Sequence, residues 1–539
     1  MPFGLSRAAL IVSWQPDAPH SARGSFRVQW NAPLDARNTL QISGLNVQLL
    51  RFTGIAESLL LIPIGPHAAP APSSANPFAG SSAWALLSIQ TNDTPQAAVA
   101  DFLRWQSGLA PAALARREIA QVEQWRVHPT VHFTSPQERH LWRQSEVMLR
   151  IAQSREPNHP GFYGNGLIVA SLPDGVWFTP WVRDMAWATV ALARMGHQQE
   201  ARAALLAYFN ARPTGLMRAQ TSNADYQVSV VRYFGNGAEE PFFTDEGSTN
   251  IEFDDWGEVL WALGEYLRIY RDPGLLSTPT YRGTLYASAR DFIVKPLLAN
   301  TQPFAEGRIV NADTSIWEEH QKDKKHFAFS TAAAIVGLRN FASVAGLAGD
   351  APSQAEALRQ AALLQKGFNA AFIRDGELHG TLEPGIKNDI DGALLQIINW
   401  GVVSDPALIR NTVQRMQLLK VASGGYRRVR STYTDPAIFE YWYERQEFLF
   451  VDFNLAELNH RLGRTANARA MLSRIIRKAA ADHNILPEMY VALPCKLFPG
   501  RIGDPTGALP MVGYGAGEYI LHLLNREELE RSRAAQPTP

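Results

Sequence analysis

Apolar and polar positions follow two different periods along this chain, and the change of period divides it. Over residues 1 to about 95 the alternation is that of half-buried strands. Ser25-Phe26-Arg27-Val28-Gln29-Trp30 and Leu40-Gln41-Ile42-Ser43 place an apolar side chain at every second position. Trp84-Ala85-Leu86-Leu87-Ser88-Ile89 reads as a last strand, after a loop rich in Pro, Ala and Ser from Gly65 to Ser82. Near Pro95 the period lengthens to that of a helix and holds to about Trp125, which predicts a helical linker over 96–130.

From Ser135 onward helical spacing dominates. Twelve helices are predicted, near 136–153, 183–195, 198–212, 254–270, 281–298, 328–347, 353–373, 388–400, 406–419, 447–462, 465–480 and 511–524. Gly196 and Gly463 stop two of them, and Asp405-Pro406 and Thr465 start two others. Ile335, Leu338, Ala342 and Ala345 fall on one helical face, as do Leu358, Ala361, Leu364 and Phe368. Six hairpins closed into a ring would make an all-α (α/α)6 toroid of twelve helices. A plain bundle or solenoid uses the same helices, but no short repeat is detectable, which favours the toroid. The expected plan is a β-rich region over 1–95, the linker, a catalytic barrel over 131–525 and a polar tail over 526–539. Even-numbered helices of such a series all run one way, so their N-terminal connections gather at one end. Two connections are long, Pro213 to Phe253 and Lys420 to Gln446, and loops of that length in a compact domain are usually functional.

Charge and composition narrow the function. Lys plus Arg equals Asp plus Glu, 51 each, in 539 residues. Zero net charge argues against a nucleic-acid partner and suits a neutral substrate. The 14 tryptophans offer platforms for sugar rings and equally suit a large aromatic core. A single cysteine, Cys495, excludes an intrachain disulfide. No apolar run reaches transmembrane length, so no membrane partner is expected. The run Ala8 to Val12 is too short for a signal peptide. A complete chain is then expected in the cytoplasm; one whose leader had been removed would be periplasmic or secreted. No stretch has calcium-loop spacing, and neither metal nor cofactor is expected.

The candidate chemistry lies in connections leading into the second, sixth and twelfth helices. Glu318 and Glu319 follow Trp317; a carboxyl against an indole is desolvated and holds a proton near neutral pH, as a general acid must. The plain alternative is a solvated Glu pair. Glu488 follows Pro487 in an apolar stretch and could be a surface carboxylate. Arg183-Asp184, after Trp181, could be a structural ion pair, and Arg427-Arg428 could be solvated. Gathered at one end of a ring, two carboxyls distant in sequence would face each other as glycoside hydrolysis requires.

From about Ala97 to Leu524 these motifs resemble glycoside hydrolase family 15, the glucoamylase-like enzymes. Gly166 to Pro173, Trp181-Val182-Arg183-Asp184 and Ala191 to His197 are similar to its first block, and Asp254-Asp255-Trp256-Gly257-Glu258 to its second. Ser315 to Glu319 resembles the general-acid block. Gly425-Tyr426-Arg427-Arg428 with Tyr433 resembles the block whose arginine holds the terminal sugar, and Asn484 to Glu488 the general-base block. The resemblance implies an (α/α)6 barrel behind an N-terminal β-sandwich and an inverting exo-hydrolase of α-glucosidic bonds. It implies Glu318 as acid, Glu488 as base, and Arg183, Asp184 and Arg427 on the terminal glucose, with Trp181, Trp317 and Glu319 lining the sugar site. Three positions depart from the family's habit: Met489 where glutamine is common, Arg428 where an aromatic is usual, and Gly513-Tyr514-Gly515 at the start of the last helix.

The expected substrates are oligo- or polysaccharides with α-1,4 or α-1,6 glucosidic bonds, or another α-glucoside such as trehalose. Two further readings stand beside this one. A different toroid enzyme would need either a Tyr, His or Lys base, as a lyase, or a phosphate-binding cluster such as Arg427, Arg428 and Arg430, as a phosphorylase. A silent carbohydrate-binding protein would yield no product. Product analysis with and without phosphate separates the three.

Overall fold

The computed structural model describes residues 5, 7, 9–13, 33–54, 57–64, 83–89, 93–172, 177–241, 249–318, 324–385, 390–430 and 433–534. They fall into two compact units: Met1–Arg126 with Arg155–Pro157, and Val127–Ser154 with Asn158–Pro539.

The first unit is built on a five-stranded antiparallel sheet. In chain order its strands are β1 (Ala9–Ser13), β2 (Leu34–Ile42), β3 (Leu45–Phe52), β4 (Ser58–Pro63) and β5 (Ala83–Ile89), and in space they run β1-β5-β4-β3-β2. Ser43 and Gly44 turn β2 into β3, both with positive φ, the conformation a two-residue hairpin demands. Alternation sorts the side chains. Val47, Leu49, Leu60, Ile62, Ala85 and Leu87 pack on one side with Ala98, Val99 and Phe102, while Leu50, Phe52, Leu61 and Trp84 cluster separately. The predicted segment at Leu40 lies in β2 and that at Trp84 in β5; Ser25 to Trp30 and Gly65 to Ser82 lie outside the described residues. The helical stretch expected as a linker forms two helices, Pro95–Gln106 and Pro111–Trp125, within this unit. The buried face of the first, Ala98, Val99 and Phe102, makes it part of the unit's core.

The second unit holds the twelve-helix ring. The helices are Pro136–Ala152, Val182–Met195, Gln198–Asn210, Asp254–Tyr270, a composite fifth, Ala328–Leu347, Ala351–Phe372, Ala393–Asn399, Pro406–Arg415, Leu449–Arg461, Thr465–Ala481 and a composite twelfth. The fifth runs from Leu285–Ala289 through a π turn, Arg290–Val294, into Lys295–Ala299. The twelfth opens as a π turn, Val512–Gly517, and continues as Glu518–Ala534. Even-numbered helices pack side by side in order, and the twelfth meets the second, so the inner ring closes. The fold is an (α/α)6 toroid.

Local chemistry separates the two rings. Three outer helices start on polar caps: Ser135, Asp350 and Asp405 each accept a hydrogen bond from an N–H of the first turn. Five inner helices start without a side-chain cap, with Trp181, Phe253, Phe327, Phe448 and Met511 at those positions, and at the eighth Asp391 accepts from the Ala393 N–H at 2.8 Å. The sixth helix is buried on every side from Ala328 to Leu338 rather than along one stripe, because it faces neighbours all round. It is long and apolar enough to cross a membrane by length and composition, a run the sequence reading passed over, and its apolar surface is spent inside the ring. In the seventh helix Ala361, Leu364 and Phe368 are buried as predicted, but Leu358 is half exposed and Ala357 takes its place.

Gly257 and Gly337 let the fourth and sixth helices touch backbone to backbone: a Cβ on Gly257 would lie 2.4 Å from Ala333, and one on Gly337 2.5 Å from Gly257. The expected polar tail begins as helix, because Arg526 is buried and donates to Glu138 Oε1 at 2.6 Å, anchoring the last turns to the first helix. Of the strand-like run from Gln227 to Tyr233, only Arg232–Tyr233 pairs, with Glu239–Glu240. Val228, Val230 and Val231 are buried by packing instead.

Candidate active site

A cavity of about 300 Å³ opens where the N-terminal connections of the inner helices meet. Trp177, Trp181, Arg183, Asp184, Trp317, Glu318, Arg428, Phe439, Glu440, Tyr443, Phe448, Phe450, Glu488 and Tyr514 are among its lining residues. A volume in this range holds a small ligand. A second hollow of about 520 Å³ lies beside Arg374, His379 and Glu383; among the described residues Glu383 is its one carboxylate, and it is bound to His326.

Arg183 and Asp184 occupy the first turn of the second helix. Gly513 determines how closely the twelfth helix approaches them: a Cβ there would lie 2.2 Å from the Asp184 carbonyl oxygen. The Gly-Tyr-Gly start of that helix is therefore a close-packing device, and it brings the Tyr514 ring to 5.9 Å from the Arg183 guanidinium. Arg183 donates to Glu252 and, at 3.4 Å, to Glu318 Oε1; Asp254 stands at 3.9 Å. Burial works against its charge, but Tyr514, Asp254 and Glu318 hold it protonated well above the usual range. Burial also pushes the Asp184 carboxyl up to about 7, against the pull of Arg183. Asp184 Oδ1, Trp181 Nε1, Arg183 Nε and the Tyr514 hydroxyl are buried polar atoms with no protein partner.

Glu318 ends a pinned turn. Its N–H donates to the Ser315 carbonyl at 3.0 Å, and both residues have positive φ, 53° at Glu318 and 51° at Ser315. The Ser330 hydroxyl, in the sixth helix, donates to Asp313 Oδ2 at 2.7 Å and its oxygen accepts from the Ser315 hydroxyl at 2.9 Å, tying the turn to the ring. Trp317 is buried and donates from Nε1 to Asp391 at 2.7 Å, with Phe448 and Phe450 against its ring. The Glu318 side chain is 27% exposed and lies beside Arg183.

The enclosed carboxyl is Glu488. It keeps an edge on the cavity, and burial raises its pKa. Three donors oppose that rise: the Tyr443 hydroxyl on Oε1, and the Ala508 N–H and Trp177 Nε1 on Oε2, each at 3.1 Å. Its segment continues into Met489–Tyr490, the middle strand of a small sheet between Glu447–Phe448 and Pro505–Thr506. Met489 is fully buried there.

Of the residues singled out in the sequence, the cavity thus brings together Trp181, Arg183, Asp184, Trp317, Glu318 and Glu488. Arg427 is not in its lining; its guanidinium lies near the Leu418 carbonyl at 3.4 Å. The arginine that reaches the cavity is Arg428, at 4.8 Å from the Tyr443 ring and 5.3 Å from that of Phe448. The backbone explains the choice, because the Arg428 carbonyl accepts from Gly392 N–H at 2.7 Å and so aims the neighbouring side chain away. Glu319 lies outside the described residues. Tyr443, Trp177, Glu252 and Tyr514 were not named from the sequence as site residues. Their signals were weak: a place in the long 420–446 connection, nearness to two family-like blocks, and the unusual Gly-Tyr-Gly.

The family model for glycosyl hydrolases family 15 matches residues 143–433, more than half of the chain. No curated protein matches significantly. Among solved structures, a bacterial glucoamylase complexed with acarbose matches with a TM-score of 0.58 at 15% identity, over 92% of this chain and 76% of that one. A wild-type glycosidase matches with a TM-score of 0.53 at 18% identity, over 74% and 100%. The glucoamylase of Saccharomycopsis fibuligera matches with 0.53 at 13%, over 75% and 98%. At these identities the structural likeness shows the fold.

Proposed function

The chain belongs to glycosyl hydrolases family 15 and is a glycoside hydrolase, and we propose that it removes single glucose units from the non-reducing ends of α-1,4 or α-1,6 glucosides with inversion. The observation that carries this reading is one cavity holding two carboxyls from separate connections, Glu318 and Glu488, with Arg183 and Asp184 at its inner end. Glu318 is the general acid and protonates the glycosidic oxygen as the bond breaks. Glu488 is the general base; it takes a proton from a water that attacks the anomeric carbon from the opposite face. Tyr443 and Trp177 hold its two oxygens, so that the remaining Oε1 lone pair is aimed by the protein rather than by solvent.

Asp184 and Arg183 take the hydroxyls of the terminal glucose. The buried polar atoms of Trp181, Arg183, Asp184 and Tyr514 that lack protein partners supply more donors and acceptors than an apolar ligand could use. An inverting pair leaves room for the water, with carboxyls about 6.5–9.5 Å apart against about 5–5.5 Å in a retaining pair. Proton NMR during early hydrolysis tests the proposal. β-Glucose is expected first from an α-linked substrate, and α-glucose first would refute inversion. Glu488→Gln should bind substrate and fail to turn it over; full activity would remove Glu488 from the mechanism.

A further inference from the structure

The outer wall of the cavity is chemically unlike its inner end. The short helix Phe439–Tyr443 places Phe439, Glu440 and Tyr443 in the lining. The Phe439 ring stacks on Tyr443 at 5.2 Å and lies 5.7 Å from Phe498. It is nonetheless 45% exposed. Its chain neighbour Ile438 and the Phe498 neighbour Leu497 are also exposed, at 38% and 53%. Leu493, exposed as well, is held to this region by Gln446, whose Nε2 donates to its carbonyl at 3.1 Å. Phe439 is the one of these that lines the cavity, and a half-exposed aromatic ring on a cavity wall marks a surface that something apolar covers.

We propose that this wall is the aglycone subsite, and that the enzyme selects glucosides whose leaving group is an alkyl or aryl alcohol over those whose leaving group is another sugar. The inference rests on the α-glucosidase reading for the direction of the substrate. The glucose lies inward, on Arg183 and Asp184, so the leaving group meets the outer wall in every turnover. A second sugar there would turn several hydroxyls toward the Phe439 ring, and each one buried without a partner weakens binding. Among the described lining side chains, Arg183, Asp184, Glu318 and Glu488, with the unpartnered Trp181 Nε1 and Tyr514 hydroxyl, serve the glucose and the bond. Arg428 is 9% exposed and packed among aromatic rings beside Glu444. Glu440 remains, and one carboxylate cannot satisfy a pyranose.

The test separates the aglycone from the reaction. Calorimetry on the full chain carrying Glu488→Gln, which is expected not to turn over, compares benzyl α-glucoside with maltose. The benzyl glucoside should bind roughly ten-fold more tightly, as covering about half of a phenyl ring's apolar surface implies. Adding Phe439→Ala should bring the two to about parity. Maltose binding as tightly as benzyl glucoside, or a preference that survives Phe439→Ala, would overturn the proposal. So would a dimer in sedimentation that Phe439→Ala and Leu497→Ser dissociate, since a second copy would then occupy the wall. Release of benzyl alcohol by the unmutated enzyme is measured in parallel. Tight benzyl binding without release sinks the hydrolytic reading and leaves the subsite; turnover of both glucosides with no preference in binding does the reverse.

Discussion

The carboxyl of Glu488 sits in opposing surroundings. Burial favours its neutral form, while Tyr443, Ala508 and Trp177 favour its charge. A general base must be ionised, so the donors decide the pH at which it works. Tyr443→Phe removes one of them and should move the carboxyl's pKa further up. The acidic limb of the kcat/KM profile should then shift to higher pH by about one unit, with a smaller change on the alkaline side. A profile that does not move would leave Tyr443 a merely structural partner. Asp184, held at about 7, gives the second test at this scale. Below that pH it is protonated and accepts hydroxyl hydrogen bonds poorly, so substrate affinity should rise as pH passes upward through about 7. Asp184→Asn should erase that inflection. Asp184→Ala should lower kcat/KM by about 30- to 1,000-fold, the loss of roughly 2–4 kcal/mol at a buried charged contact; a change within about two-fold would end the clamp assignment. Motifs made most of these residues legible. Which arginine of the 427–428 pair faces inward was not, because a hydrogen bond from Gly392, 36 positions earlier, sets the register. Nor did the Trp317-Glu318 adjacency reveal that the indole turns to Asp391 and leaves Glu318 beside Arg183.

Elements were read from period, and the readings succeeded where one face or all faces are apolar over several turns. Helices as short as Ala393–Asn399, seven residues, leave such a trace; Tyr443 rides on a five-residue helix, which leaves none. The eighth helix starts at Ala393, after Gly392, rather than near 388, and the twelfth runs past 524 to Ala534, where Arg526 holds it to Glu138. Contact between elements is tighter than hydrophobicity alone suggests. Gly257→Ala would put a methyl group 2.4 Å from the backbone of Ala333, whereas a Cβ at Gly235 would meet nothing within 4 Å. Overpacking a fixed helix crossing costs about 1–3 kcal/mol. The unfolding midpoint should therefore drop for Gly257→Ala and stay put for Gly235→Ala; equal midpoints would show that the crossing can relax.

At the scale of the molecule, the ring gathers six helix starts at one end and places the chemistry in the connections before them. The inner end of the cavity is shut. Behind Tyr514 and Phe450 stand Trp187, Trp261 and Trp400, ring against ring at 5.0–6.1 Å. A blind cavity with one opening imposes a sequence on events. The leaving group, nearest the mouth, must depart first, and glucose can follow only after it. Steady-state inhibition should report that order. Glucose, returning to the free enzyme, should raise KM without lowering the maximal rate, while the leaving alcohol, meeting the glucose-loaded enzyme, should lower the maximal rate. The opposite pattern would mean a second way out, and the ring would then be a tunnel rather than a cup.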